Sequence, residues 1–210
     1  MLGIDLEAGA YVARLQTELA RIDPAEVRNL ADLIYRAYEE RRFVFLFGNG
    51  GSATAASHFA EDLGKGCFRE DDLRCDGRRR LKVLSLTDNV GYLTAVGNDM
   101  GYDQVFVQQL MSYGQAGDVA IAISGSGNSP NVLAAVEWAN RHGLVTFGMT
   151  GFDGGRLKAL QHSGLHVPLD DMGMVEAIHG CLFHWVVDDL FGRINRTGRY
   201  AAPATVPGKP

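Results

Sequence analysis

A chain of 210 residues that is 46% hydrophobic and 21% charged can fill one core and is too short for two ordinary domains. Its formal net charge of −5 repels polyanions, which argues against a nucleic-acid binder and requires any anionic metabolite to meet a local site. No apolar run approaches transmembrane length, Asp5, Glu7, Arg14 and Glu18 interrupt any export signal, and the three cysteines form no CxxC pair, so a cytoplasmic protein without a membrane partner is expected.

In chain order, Ile4, Ala8, Tyr11, Leu15, Leu19 and Ile22 recur every three or four residues and predict one stripe of an amphipathic helix. Asp23-Pro24 opens a second helix, running to about residue 41. The period then changes. Residues 43–47 form a continuous aromatic and branched run, the mark of a strand buried on both faces; similar runs return at 82–86, 119–123, 144–149 and, more weakly, 165–167. Helical patterns lie between them over 52–65, 103–113, 130–142 and 155–161. A long last helix over 174–193 puts Val175, Ile178, Leu182, Val186 and Leu190 on one stripe. The run Arg78-Arg79-Arg80, with Arg74 and Lys82 beside it, reads as a solvated loop without a function. This alternation predicts an α/β fold over residues 1–195: a five-stranded parallel sheet with helices on both faces, preceded by N-terminal helices. Residues 196–210, rich in proline and glycine, are expected to form a mobile tail.

In open parallel sheets, ligands bind beyond the carboxyl ends of the strands. Two Gly/Ser loops stand there: Gly48-Asn49-Gly50-Gly51-Ser52 after the first strand and Ser124-Gly125-Ser126-Gly127-Asn128-Ser129 after the third. Each leads from a strand straight into a helix, so backbone N–H groups and the positive helix end face the loop. The glycines let an oxyanion approach the backbone, and the serines add neutral donors. A single such loop could be a cap and a tight turn; two of them with four serines point to a phosphate monoester. Gly48-x-Gly50-x-x-Ala53 also matches a dinucleotide fingerprint, which expects an acidic residue about 20 residues on; here Asp88 closes the second strand at about twice that distance, and the oxidoreductase reading ranks lower.

His58 and Asp62, four apart, share a helix face, while Glu176 and His184 lie eight apart on the last helix with about 80° of angular drift. Two imidazoles and two carboxylates suit zinc or another divalent metal, one per subunit. His179 competes with His184, and one of the two is expected to be structural. A carboxylate and a histidine facing each other across an open-chain sugar can carry the proton of an aldose–ketose isomerisation through an enediol.

These motifs, with His58-Phe59-Ala60-Glu61, Gly97-Asn98-Asp99, Met149-Thr150-Gly151 and Asp153-Gly154-Gly155, resemble in order, from about residue 15 to 190, the phosphoheptose isomerases of the sugar-isomerase (SIS) superfamily. The resemblance implies a flavodoxin-like SIS domain that converts sedoheptulose 7-phosphate to D-glycero-D-manno-heptose 7-phosphate. It also implies a homotetramer with active sites between subunits, and a zinc ion. On it, Ser52, Ser124, Ser126 and Ser129 hold phosphate within loops that include Gly50, Gly51 and Gly125, and Asn49, Asn98, Asp99 and Glu176 contact substrate. His58, Asp62, Glu176 and His184 would be metal ligands, Asp62 the base, and His184 rather than His179 the acid.

Three positions depart from the family pattern. The glutamate four residues after the first histidine is Asp62, one methylene shorter, with Glu61 about 100° round the helix. The glutamine eight before the last histidine is Glu176, and an aspartate just before it is replaced by Gly173. These changes read as a variant site that keeps its metal. The superfamily also contains regulatory domains and a relative that binds the replication initiator DnaA, so a non-catalytic sugar-phosphate-binding or DnaA-associating protein is the second reading; the joint presence of His58, Asp62, Glu176 and His184 favours the enzyme.

Overall fold

The computed structural model describes residues 1–201. In chain order it contains a 3₁₀ turn (Leu2–Ile4), α1 (Ala8–Leu19), α2 (Pro24–Glu40), β1 (Phe43–Gly48), α3 (Gly51–Glu61), a π-helical turn (Asp62–Gly66), α4 (Glu70–Leu73) and β2 (Lys82–Ser85). There follow α5 (Val90–Asp99), a 3₁₀ turn (Tyr102–Gln104), α6 (Val107–Tyr113), β3 (Val119–Ser124), α7 (Pro130–Arg141) and β4 (Val145–Thr150). The rest comprises α8 (Gly155–Leu160), β5 (Ser163–His166), α9 (Met172–Asn195) and a 3₁₀ turn (Gly198–Tyr200).

The strands form one all-parallel sheet in the order β2-β1-β3-β4-β5. This is the flavodoxin-type order, and its switch point lies between β1 and β3. The apolar run of β1 serves two cores because side chains alternate along a strand. Val44 and Leu46 enter a cluster with Ile34 of α2, Phe59 of α3 and Phe183 of α9, whereas Phe45 and Phe47 enter one with Phe106, Leu110 and Val136 on the opposite face. No helix among the described residues is long and apolar enough to cross a membrane.

Three details depart from the periodicity. The stripe drawn from Ile4 to Ile22 is broken: Ile4 lies on its own turn with 75% of its surface exposed, and Glu7 is extended before α1 begins. Tyr11, Leu15, Leu19 and Ile22 still pack against Val167, Leu169, Met174, Val175 and Ile178. β5 starts two residues earlier than expected, and α5 was not anticipated at all. Of the segment read as a tail, Gly198–Tyr200 forms a turn whose Tyr200 hydroxyl donates to Asp189 at 2.6 Å; residues 202–210 lie outside the described residues.

Candidate active site

β1 and β3 are neighbours in register, Gly48 opposite Ile123, so the two Gly/Ser loops emerge side by side. Asn49 and Asn131 lock them with reciprocal amide hydrogen bonds of 2.9 and 2.8 Å, and the Tyr102 hydroxyl donates to Asn49 at 3.1 Å. Neither Asn131 nor Tyr102 was singled out by the sequence; an asparagine directly after a serine–proline step carries no distinctive signal. Between the loops lies a cavity of about 270 Å³, lined by Asn49, Gly51, Ser52, Ile123, Ser124, Gly125, Ser126, Ser129, Met172 and Glu176.

Two of the serines are engaged in shaping their loop: Ser124 Oγ accepts from Gly127 N–H at 3.2 Å and Ser126 Oγ from Asn128 N–H at 3.3 Å. Ser129 occupies the N-cap of α7 without a side-chain capping bond, so its hydroxyl is not spent on the helix. Backbone conformation favours glycine at position 50, while Gly51 and Gly125 leave room for the tips of two flexible side chains. Gly50 has φ +55°, and a Cβ on Gly51 would strike the Glu176 carboxylate. A Cβ on Gly125 would strike the Met172 side chain.

A second polar group stands farther along α3. His58 Nε2 lies 3.3 Å and His184 Nε2 3.6 Å from Asp62 Oδ2, with the two imidazole centroids 5.2 Å apart. The helices that carry them are clamped by the residues next door: Phe59 and Phe183 stack with centroids 3.6 Å apart in the core. Asp62 is the first residue of the π-helical turn, a local widening that recurs at functional positions. Glu61 is paired with Lys65, whose ammonium holds its carboxyl below the usual range. Cys67, buried nearby, has its thiol pushed up to about 12 by burial first and then by Asp62 and Asp188, so the free thiol stays protonated.

The trio fits a divalent ion. His184 Nδ1 contacts the Gly180 carbonyl at 2.8 Å and donates there, so in the neutral imidazole Nε2 turns a lone pair toward a carboxylate. In that form two acceptors face each other, an arrangement that a cation between them would satisfy. One ligand atom from each of His58, Asp62 and His184 lies within 4.8 Å of the others, an open three-residue set of the type used by catalytic zinc.

Glu176 is not part of this set, which corrects its assignment as fourth ligand within the chain. Eight helical residues separate it from His184 by about 12 Å along the axis, and its carboxylate sits over Gly51 at the serine cavity instead. Asn98 and Asp99 are exposed at the end of α5, hydrogen-bonded to each other at 2.7 Å, and do not line the cavity. His179 is buried, its Nε2 3.3 Å from the Thr150 carbonyl; burial, outweighing that hydrogen bond, brings it down to about 4.

A family model described as "SIS domain" matches residues 9–151. A phosphoheptose isomerase of Pelobacter propionicus is 38% identical over 170 residues, which cover 81% of this chain and 86% of the relative. One from Helicobacter pylori (strain Shi470) is 39% identical over 156 residues, 74% of this chain and 78% of the relative. The solved structure of a phosphoheptose isomerase from Neisseria gonorrhoeae superposes with a TM-score of 0.77 at 32% identity, covering 86% of this chain and 93% of that one.

Proposed function

The chain belongs to the phosphoheptose isomerases, SIS-domain enzymes that isomerise sugar phosphates, and on that premise we propose that it converts sedoheptulose 7-phosphate to D-glycero-D-manno-heptose 7-phosphate. The observation that carries the reading is a matter of length. α3 and α9 each run from the serine cavity to the trio: Ser52 to His58 is six residues, about 9 Å, and Glu176 to His184 is eight, about 12 Å. An extended chain advances about 1.2 Å per bond, so the seven bonds from C2 to the phosphorus of a heptulose 7-phosphate span roughly 8 Å.

In this reading Ser52, Ser124, Ser126 and Ser129 hold the phosphate at the starts of α3 and α7. Asp62 takes a proton from C1 of the open-chain ketose, exchanges it with solvent, and delivers a proton to C2. His184 supplies a proton to the C2 oxygen as the enediol forms and takes back the O1 proton as C2 is reprotonated. His58, Asp62 and His184 would hold a divalent ion, zinc in the first instance and one per subunit, which when bound polarises the sugar oxygens. His184 has only Nε2 free for either task, so its roles as ligand and as acid compete.

Residues 1–195 are taken as one domain of a cytoplasmic homotetramer. In support of assembly, α5 buries none of its residues, and Val90, Met100, Tyr102, Met111 and Tyr113 stay at least 49% exposed in the single chain. Asn98 and Asp99 at the end of α5 would then reach a sugar bound in a neighbouring subunit.

The test is to follow sedoheptulose 7-phosphate by NMR with protein purified without chelator, and to measure bound metal in parallel. Formation of an aldoheptose phosphate that stops on chelation supports the reading. An unchanged substrate with the metal in place rejects this sugar. In His184→Ala, lost turnover with metal retained assigns the acid role, and loss of both assigns the ligand role.

A further inference from the structure

The run Arg78-Arg79-Arg80, read from the sequence as a solvated loop, lies at the opposite end of the molecule from the serine loops, and its Arg78 and Arg79 line a cavity. This cavity, of about 480 Å³, is lined by Arg69, Arg78, Arg79, Arg193 and Arg196, with Tyr35 and Tyr38 on its wall and Glu39 and Asp72 as its only carboxylates among the described residues. α9 spans the distance between the two sites. From Glu176 at the serine loops to Arg193 here is 17 residues, about 25 Å.

The charges do not cancel. Arg193 is committed to Asp32 at 2.6 Å and Asp189 at 2.7 Å, and Arg78 Nε stands 3.5 Å from Asp72 without hydrogen-bond alignment. Arg69, Arg79 and Arg196 have no carboxylate within ion-pair distance among the described residues: Arg69 makes a long 3.5 Å contact with the Asn195 carbonyl, and Arg79 lies over the Tyr38 ring. Arg196 ends α9 in the left-handed region, φ +51°, where glycine is the unstrained residue. A chain with a net charge of −5 has thus gathered five of its 20 basic side chains around one cavity; Asp32, Asp189, Asp72 and Glu39 offset them in part, while Arg69, Arg79 and Arg196 make no ion pair among the described residues. Capping of α9 by Arg69 and Arg78 accounts for two long contacts, and leaves Arg79 with only the Tyr38 ring and Arg196 with no side-chain partner among the described residues.

We propose that this cavity is a second anion site, distinct from the isomerase site and independent of the substrate assigned there, which takes a small molecule bearing a diphosphate group. Planar guanidinium forks converging from three segments suit several phosphoryl oxygens at once, and a diphosphate offers more of them than a monophosphate.

The test is calorimetric titration of the full chain with inorganic pyrophosphate, alongside orthophosphate and ADP. The expected result is saturable pyrophosphate binding, at least tenfold tighter than orthophosphate, that survives Ser124→Ala/Ser129→Ala. Comparable ADP binding would show that the diphosphate is recognised as part of a nucleotide; pyrophosphate alone would mark the free anion. Binding should weaken by about tenfold for each guanidinium removed in Arg69→Ala/Arg79→Ala. Arg196→Gly separates binding from folding: its thermal midpoint should hold or rise while its affinity falls. Absence of binding, binding lost with the serines, or binding unaffected by the arginine variants overturns the proposal.

Discussion

His179 and His184 stand five residues apart on α9, about 140° round its axis, and that rotation separates their chemistry. One faces the sheet, buried against a backbone carbonyl, and is held neutral. The other faces outward, half exposed, with a carboxylate 3.6 Å away and a second imidazole beside it. The same side chain is thus a packing element or a reactive group according to which face of one helix carries it. Only the outer position offers a nitrogen that a substrate or a metal can reach.

The comparison breaks most readily at the outer position. His184→Ala should cut kcat/KM by about 10²- to 10⁴-fold while its unfolding midpoint barely moves, since exposed substitutions usually stay within about 0.5 kcal/mol. Steady-state kinetics and denaturant unfolding on one preparation read both. A loss of fold with activity would mean that His184 is structural after all.

The inner position is sharpened by pH. Because folding lowers the His179 value from 6.5 to about 4, the unfolded chain binds the extra proton first as acid is added. Its contribution to stability is therefore complete above pH 6.5 and is lost progressively as pH falls toward 4, by about 3 kcal/mol in all. His166, lowered mainly by its own burial, adds in the same direction. Urea unfolding across this window should show the slope, and His179→Gln should flatten it; an unchanged slope in that variant would remove His179 from the account.

Smaller effects are expected at the loops. Gly127 has φ +64°, and a Cβ there would meet the Gly154 carbonyl, so Gly127→Ala should destabilise by about 1–3 kcal/mol by thermal unfolding and raise KM. Glu176→Gln removes a negative charge from the serine cavity. It should lower KM for the phosphosugar only a few-fold, because one exposed charge at about 4 Å is worth about 1 kcal/mol in water. A rise in KM would instead make the carboxylate a binding group for the sugar.

Much of this was legible in the residues. β1, β3 and β4 are buried on both faces, and such strands write themselves as unbroken apolar runs. β5, with Ser163 and His166 at its ends, reads weakly for the same reason. α5 was illegible because it presents apolar residues without a buried stripe. The pairing of His58 with Asp62 follows from helical spacing alone, but their meeting with His184 depends on the Phe59–Phe183 stack, a contact between segments that periodicity does not encode. Spacing along α9 likewise fixed the angle of Glu176 and not the loop packed at its level, which is why it was assigned to the metal. The arginine cavity was missed because its members come from α9 and two segments far apart in sequence.

The central claim is that Asp62, held between His58 and His184, moves the carbon-bound proton. It is tested most directly by incubating the phosphosugar in deuterated water with wild type and Asp62→Asn, and following deuterium at C1 and C2 by NMR. The account requires wash-in with the wild type and at least a hundredfold slower exchange with the variant, although the variant still binds substrate. Exchange at the wild-type rate in Asp62→Asn would place the base elsewhere.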